Sequence, residues 1–327
     1  MKLREYRAQQ RFVIDEGSKV GEARRAAHTL ANFEFDAELA GKVAIAATEL
    51  ASNLLRHAGG GELLLQKLGS DDSSSLELLA IDRGPGMADV SRCMSDGYST
   101  GGTQGTGLGA VRRLASEFDI YSAPGEGTVV MARFGGACHV RHGAVNVAVA
   151  GEPDCGDAWC LVRDVGGIAL MVIDGLGHGT FAAEAARAGI DAFLLAPGDS
   201  PREILQRANQ QMSKTRGGAA ACARLANGSM SYAGMGNING YLVSPERSQG
   251  LVSHNGTLGM HQRPAQQFEY SVDPDSLLVM HSDGLSARWD LRSQPDLLRA
   301  HPAIVAGVLY RDHGRERDDA TVVVVAA

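Results

Sequence analysis

Residues 99–114 read STGGTQGTGLGAVRRL, a glycine-rich loop that runs straight into the start of a helix. Glycines at 101, 102, 105, 107 and 109 let the backbone take positive φ and come close to a bound group, and the first turn of the helix presents unpaired N–H donors. Together they make a site for an anion. A dinucleotide fingerprint needs a strand directly before its glycines, and a P-loop ends in Gly-Lys-Ser or Gly-Lys-Thr. Here the turn-like MSDGYST precedes the loop and Leu108-Gly109-Ala110 closes it, so neither fits. A glycine cluster beside a helix is also an ordinary connector, and its neighbours decide between the two.

Upstream, QRFVID (10–15) alternates like a strand, and 18–32 repeats small apolar residues at helical spacing. A stronger helix is expected over 36–57, its apolar face at Leu39, Val43, Ala46, Ala47, Leu50 and Leu54. Glu49, Asn53 and His57 fall at i, i+4 and i+8 on one face of that helix. They read either as a solvated polar stripe or as a carboxylate and an amide aimed at one ligand. Strands 62–66 and 76–81 flank the polar loop GSDDSSS, and the second runs into Asp82-Arg83-Gly84-Pro85-Gly86. That segment is a tight turn, or a carboxylate that accepts from an exocyclic amine beside glycines that admit a flat ring. A helix (109–117) and strands (118–122 and 129–134) complete an α/β layer.

Three ambiguous features thus occur in fixed order: Glu-x3-Asn on a helix, Asp-x-Gly-x-Gly after a strand, and a glycine lid opening a helix. Residues ~10–135 resemble the GHKL (Bergerat) ATPase fold, and DGYSTGGTQGTGLGAVRRLASEFDIYSAPGEGT resembles its RsbT branch of serine/threonine kinases acting on STAS-domain proteins. The resemblance implies Glu49 as the general base, Asn53 as a Mg²⁺ ligand and Asp82 as the adenine acceptor. It also implies that Gly84 and Gly86 admit adenine and that Gly105, Gly107 and Gly109 wrap the phosphates of ATP. Phosphoryl transfer asks chiefly for positioning and charge neutralisation, which these groups supply. Fewer than forty residues precede the Glu-Asn helix, too few for the phosphoacceptor hairpin of a histidine kinase.

The 327 residues allow two domains with separate cores. The net charge of −7 divides evenly, with 15 basic and 18 acidic residues in 1–136 (−3) and 16 and 20 in the remainder (−4). No basic stripe exists, so neither nucleic acid nor a membrane surface is an expected partner. Five cysteines without ligand spacing, no apolar leader and no run near the ~20 residues of a membrane span make a cytoplasmic protein with reduced thiols the expectation.

Residues 137–142, in a short Gly/His/Arg stretch, are read as a linker between domains 1–136 and 143–327. In the second domain four aspartates adjoin strongly β-prone runs: Asp157 after VNVAVAGEPDCG, Asp174 after GIALMVI, Asp283 after SLLVMHS, and Asp318 before TVVVV. Each alone is an ordinary turn residue. Side by side at one sheet edge they would repel unless cations sat among them, and oxygen ligands choose hard ions such as Mg²⁺ or Mn²⁺. Two such ions ~4 Å apart perform in-line phosphate hydrolysis.

VIDGLGHG, GMGNING, HNGTLG, HSDGLS and RDDATVVVV, in that order, resemble the SpoIIE/RsbX branch of the PPM metal-dependent phosphatases. That family's fold is a β-sandwich flanked by helices, here expected at 180–195 and 201–215. The resemblance implies Asp157, Asp174, Asp283 and Asp318 as metal carboxylates with the Gly175 carbonyl as a further ligand; Asp319 stands where many relatives have Asn, leaving open which of the pair faces the metal. His178, Asp154, Asn237 and Asn239 are read as loop or turn residues.

The expected class is α+β in two domains, and the expected function is bifunctional. An ATP- and Mg²⁺-dependent kinase and a two-metal phosphatase would act on Ser/Thr of a STAS-domain antagonist or scaffold protein, with a sigma factor or downstream phosphatase reached indirectly. The alternatives are a nucleotide-binding anti-sigma-like module fused to one active phosphatase, or a second half whose aspartates hold one structural ion.

Overall fold

A computed structural model describes residues 3–5 (backbone), 9–69, 74–94, 107–136, 140–260 and 265–327. In chain order it runs β1 (Leu3–Glu5), β2 (Gln10–Ile14), α1 (Gly17–Glu34), α2 (Ala37–Ala58), β3 (Gly61–Leu68), β4 (Ser75–Ile81), α3 (Val90–Cys93), α4 (Gly107–Leu114), β5 (Glu117–Ala123) and β6 (Gly127–Gly135). The second half continues with β7 (His142–Val147), β8 (Asp157–Asp164), β9 (Gly167–Gly175), α5 (Thr180–Leu195), α6 (Pro201–Gln211), β10 (Gly218–Ala226), β11 (Ser229–Met235), β12 (Asn239–Val243), β13 (Ser248–Gly250), β14 (Gln267–Ser271), β15 (Leu277–His281), α7 (Pro295–Arg299), α8 (Pro302–His313) and β16 (Ala320–Ala326). The chain divides into two compact units, Gln9–His139 and Val140–Ala327, the latter together with Met1–Ala8.

In the first unit an antiparallel sheet of order β2-β3-β4-β6-β5 carries α1, α2 and α4 on one face. Alternate strand residues Leu63 and Leu65, Leu76 and Leu78, and Val130, Ala132 and Phe134 form that face, as a period of two demands. α2 lays Val43, Ala47, Leu50 and Leu54 onto it, and the stripe Ala23, Ala27 and Ala31 lets α1 pack close. α2 is bounded by chemistry legible in the sequence: the Asp36 carboxylate accepts from Leu39 N (2.8 Å), and Gly59 ends the helix in the left-handed region (φ 75°). Truncating Leu50 to Ala costs about 2–5 kcal/mol at so enclosed a site.

The second unit is a β-sandwich flanked by helices. Its sheets have the orders β1-β8-β9-β10-β11-β14 and β13-β12-β15-β16-β7. α5 and α6 cover the first through Ala185, Ile190, Phe193, Ile204 and Leu205 against Cys160, Val162, Met171 and Ile173. α8 lies on β7 and β16, so close that a Cβ at Gly143 would stand 2.1 Å from Ala303 Cα.

The structure departs from the sequence reading in four places. Leu3–Glu5 pairs antiparallel with β8 and so joins the second unit, because the β8 edge offers unpaired backbone groups that the domain assignment 1–136 did not consider. The expected linker 137–142 is structured at its end. His142 opens β7 and is buried, its Nδ1 donating to the Val140 carbonyl (2.8 Å); residues 137–139 lie outside the described residues. The helix expected over 109–117 spans Gly107–Leu114, since Ser116 N donates to Arg133 O and Glu117 already pairs with Arg133 in the sheet. The helix expected over 201–215 ends at Gln211 and continues as a 3-10 turn, Met212–Lys214.

Candidate functional sites

In the first unit α2 positions Glu49 and Asn53, both half-buried, one turn apart on the face that meets the start of α4. A Cβ built on Gly107 would lie 3.0 Å from Glu49 Oε2 and 3.6 Å from both amide atoms of Asn53. The first residue of α4 is therefore held against the carboxylate and the amide, and Gly109 is buried two residues further. His57, the third member of the polar face, is exposed. Gly105 lies outside the described residues.

Asp82 leaves β4 half-buried, with Oδ1 accepting from Gly84 N (2.8 Å) and Thr128 N (3.1 Å). The loop after it packs on the C-terminal end of α2, where a Cβ on Gly84 would stand 2.6 Å from Ala58 Cβ. Gly86 takes φ 66°, and a Cβ there would meet the Ala123 carbonyl at 2.0 Å. A side chain at either glycine would run into Ala58 or Ala123, so both positions require glycine. Nine residues separate Glu49 from Ala58, about 13 Å along the helix. Glu49, Asn53 and Gly107 meet on one face of α2, whereas Ala58 falls about 180° around the helix from Glu49, and Asp82 lies beside Gly84 at that C-terminal end.

In the second unit, topology gathers the aspartates. β8 begins where β9 ends, with Asp157 opposite Asp174, and β15 ends where β16 begins, so Asp283 and Asp318 flank the adjacent strands of the other sheet. A hydrogen bond joins the two sheets at this edge: Ser282 Oγ donates to Asp157 Oδ2 (2.6 Å) and accepts from Thr321 N (3.1 Å). Asn146 Nδ2 donates to the Asp157 carbonyl (3.2 Å) and to Thr321 Oγ1 (2.6 Å) beneath it. Gly284 has no room for a side chain, since a Cβ would lie 1.9 Å from the Asp319 carbonyl, and this crossing fixes Asp283 beside Asp318.

Electrostatics record the convergence. Asp157, 4% exposed, has its carboxyl pushed well above the ordinary range by burial and then by the charge of Asp174, against hydrogen bonds from Ser282 and Thr321. Asp174 is pushed up to about 7 by burial and by Asp283 and Asp318, opposed by a hydrogen bond from Asn237. Among the described residues no lysine or arginine pairs with any of the four, so nothing in the chain neutralises them. Nor do three of them close on one point: Ser282 holds Asp157 and Asn237 Nδ2 holds Asp283 Oδ2 (2.7 Å). An all-oxygen set of uncompensated carboxylates fits hard divalent cations.

The adjacent acids behave differently. Asp319 accepts from Val149 N and Gly156 N (both 2.7 Å), one on each oxygen, while Asp318 Oδ1 accepts only from Asp319 N (2.9 Å) among the described residues. Gly175 N donates to the Gly156 carbonyl (3.0 Å), and a Cβ on Gly175 would lie 2.2 Å from Ala182 O. His178 is exposed and bonds Glu152 Oε1 through Nδ1 (2.7 Å), while Asp154 accepts from Thr180 Oγ1 (2.9 Å). Asn237, read from sequence as a turn former, instead touches two of the acids; only its place in GMGNING after a β-prone run could have signalled it.

Comparison with known proteins agrees with this division. The family model described as Stage II sporulation protein E (SpoIIE) matches residues 164–327, and that of the histidine kinase-like ATPase domain matches residues 15–134. The serine/threonine-protein kinase RsbT of Bacillus subtilis (strain 168) is 38% identical over 91 residues, covering 28% of this chain and 68% of the relative. The phosphoserine phosphatase RsbX of the same organism is 26% identical over 158 residues, 47% of this chain and 79% of the relative. A chain from a structure described as "The bacterial stressosome: a modular system that has been adapted to control secondary messenger signaling" superposes with a TM-score of 0.53 at 28% identity, covering 57% of this chain and 100% of the other. No described helix is long and apolar enough to cross a membrane.

Proposed function

Because this chain belongs to the SpoIIE family through its C-terminal half and to the RsbT-like kinases of the histidine kinase-like ATPase fold through its N-terminal half, we propose that it phosphorylates and dephosphorylates serine or threonine on a STAS-domain regulatory protein. The observation that carries the proposal is that each unit has its own phosphoryl-handling arrangement: Glu49 and Asn53 against the glycine-opened α4, and uncompensated carboxylates at one edge of the sandwich.

In the kinase reading Asp82 accepts the exocyclic amine of adenine at one end of the bound nucleotide. The N–H groups of Gly107 and Gly109 at the start of α4 take the phosphates at the other, where donors and dipole favour negative charge. Asn53 offers its amide oxygen to the Mg²⁺ of the nucleotide. Glu49, one turn away, accepts the proton of the incoming hydroxyl as its oxygen attacks the γ-phosphorus and the ADP oxygen departs.

In the phosphatase reading Asp157, Asp174, Asp283, Asp318 and the Gly175 carbonyl hold two Mg²⁺ or Mn²⁺ ions. Bound there, the cations polarise the phosphoryl oxygens and lower the pKa of attacking water. Ser282 fixes the rotamer of Asp157, Asn237 spaces Asp174 from Asp283, and Asp319 ties the Val149 and Gly156 backbones to the base of the site. Asp319 is fully engaged in this way, which supports Asp318 as the acid that faces the metal.

The test uses the intact chain with ATP, Mg²⁺ or Mn²⁺, and a STAS-domain protein in plain and phosphorylated form. Glu49→Ala is expected to abolish transfer and spare hydrolysis, and Asp174→Ala to do the reverse. Phosphorylation that survives Glu49→Ala overturns the assignment of that residue, and a stable stoichiometric complex with a sigma factor and no transfer overturns the kinase assignment.

A further inference from the structure

Beside the carboxylate edge the surface changes character. β9 continues past Gly175 into Leu176, whose N–H donates to the Gly217 carbonyl (2.9 Å), so Arg216 stands across from Gly177. α5 adds Phe181, its ring 5.0 Å from the Arg216 guanidinium carbon. Leu176 and Phe181 are 53% and 61% exposed, so a rim of two exposed apolar residues accompanies one exposed guanidinium within a few residues of Asp174.

No partner among the described residues accounts for this arrangement as structure. Among the described residues Arg216 has no carboxylate partner, and the nearby Glu152 is occupied by His178. A guanidinium stacked on an aromatic face keeps its edge N–H groups free for a planar carboxylate. Exposed Phe and Leu beside an Arg is the composition of the centre of a protein interface, not of ordinary solvated surface. An unpaired cation also selects the occupant, which must be anionic where it meets the rim.

We propose that the Leu176–Phe181–Arg216 rim docks the protein substrate of the phosphatase site, taking an apolar side chain on Leu176 and Phe181 and a carboxylate flanking the phosphorylated residue on Arg216. This rests on the phosphatase reading of the carboxylate edge. Specificity for a sequence around the phosphoresidue then comes from the rim, while hydrolysis comes from the aspartates.

The experiment measures three substrates with the full chain and Mn²⁺: p-nitrophenyl phosphate and two short phosphothreonine peptides carrying leucine, one flanked by aspartate and one by lysine. Wild-type is expected to favour the aspartate peptide by about tenfold in kcat/KM, expressed mainly in KM, the scale of one exposed charge pair exchanged for a repulsion. Arg216→Glu reverses the preference, and Leu176→Ser/Phe181→Ser raises KM for both peptides, with p-nitrophenyl phosphate turnover within about twofold of wild-type because neither change touches the aspartates. Unchanged peptide preference in Arg216→Glu, with p-nitrophenyl phosphate still turned over, overturns the docking proposal, as does a change in self-association with no change in preference. Wild-type that hydrolyses none of the three overturns the phosphatase reading instead, and the docking role with it.

Discussion

Asp157 and Asp174 are directly opposed partners in the β8–β9 ladder, one at the first residue of its strand and the other one residue from the end of its own. Opposed side chains in an antiparallel pair have Cβ atoms about 5 Å apart, so two buried carboxylates there repel unless one is protonated or a cation intervenes. The sign for stability follows. Asp174 titrates at about 7 when folded and near its ordinary value when unfolded, so between pH 4 and 7 the folded chain binds more protons. Its contribution is fully present below about pH 4 and lost as pH rises through 7. Thermal melts of the metal-free chain are expected to show the second unit less stable at pH 8 than at pH 5.5. Millimolar Mn²⁺, which requires the ionised carboxylates, is expected to reverse that order. A melting temperature independent of pH in EDTA contradicts the account.

Asp318 and Asp319, neighbours in sequence, separate by experiment. Asp319→Ala strips two backbone N–H groups of their acceptor and is expected to destabilise the second unit by about 1–3 kcal/mol. Asp318→Ala is expected to change stability by under about 0.5 kcal/mol without metal and to lower p-nitrophenyl phosphate turnover at least a hundredfold. Denaturant titration and turnover are measured on both variants; the opposite pattern makes Asp319 the ligand.

The elements that carry the sites were legible because their signals are local. Asp36 and Gly59 bracket α2, a period of 3.6 turns Glu49 and Asn53 to one face, and β-prone runs end at Asp174 and Asp283. What escaped depends on distant partners. β1 is a three-residue charged segment that is a strand only because the β8 edge receives it. α8 is buried on nearly every side, so PAIVAGVLYRDH shows little apolar periodicity. The packing of Gly84 and Gly86 against Ala58 and Ala123 is visible only once α2 and β5 are in place.

Asn237 lies 46 residues from Asp283, and its role is positional. Its amide donates to Asp283 (2.7 Å) and favours the ionised form of Asp174, tempering the repulsion between the two carboxylates. Asn237→Ala is expected to raise the Mn²⁺ concentration for half-maximal p-nitrophenyl phosphate turnover by about tenfold, the usual cost of removing an outer-shell partner, with turnover at saturating metal reduced far less. A loss of turnover that no Mn²⁺ concentration restores would show that Asn237 acts on the substrate rather than through the acids.

Gly107 provides the corresponding test in the first unit. Its missing side chain is what lets α4 begin beside Glu49, since a methyl group there would sit 3.0 Å from Glu49 Oε2. Gly107→Ala is expected to move the carboxylate by a few tenths of an ångström. Glu49→Gln is expected to keep its shape while removing the proton acceptor, so the two variants separate position from basicity. Glu49→Gln should lower phosphotransfer to a STAS-domain protein by about 10²–10⁴-fold with nucleotide affinity within threefold of wild-type. Gly107→Ala should lose transfer and also bind ATP more weakly, because the N–H groups at the start of α4 move with it. Fluorescent-nucleotide titration and radiolabelled transfer measure the two quantities. Wild-type transfer rates in Glu49→Gln would leave the carboxylate a structural role beside the helix start and remove it as the proton acceptor.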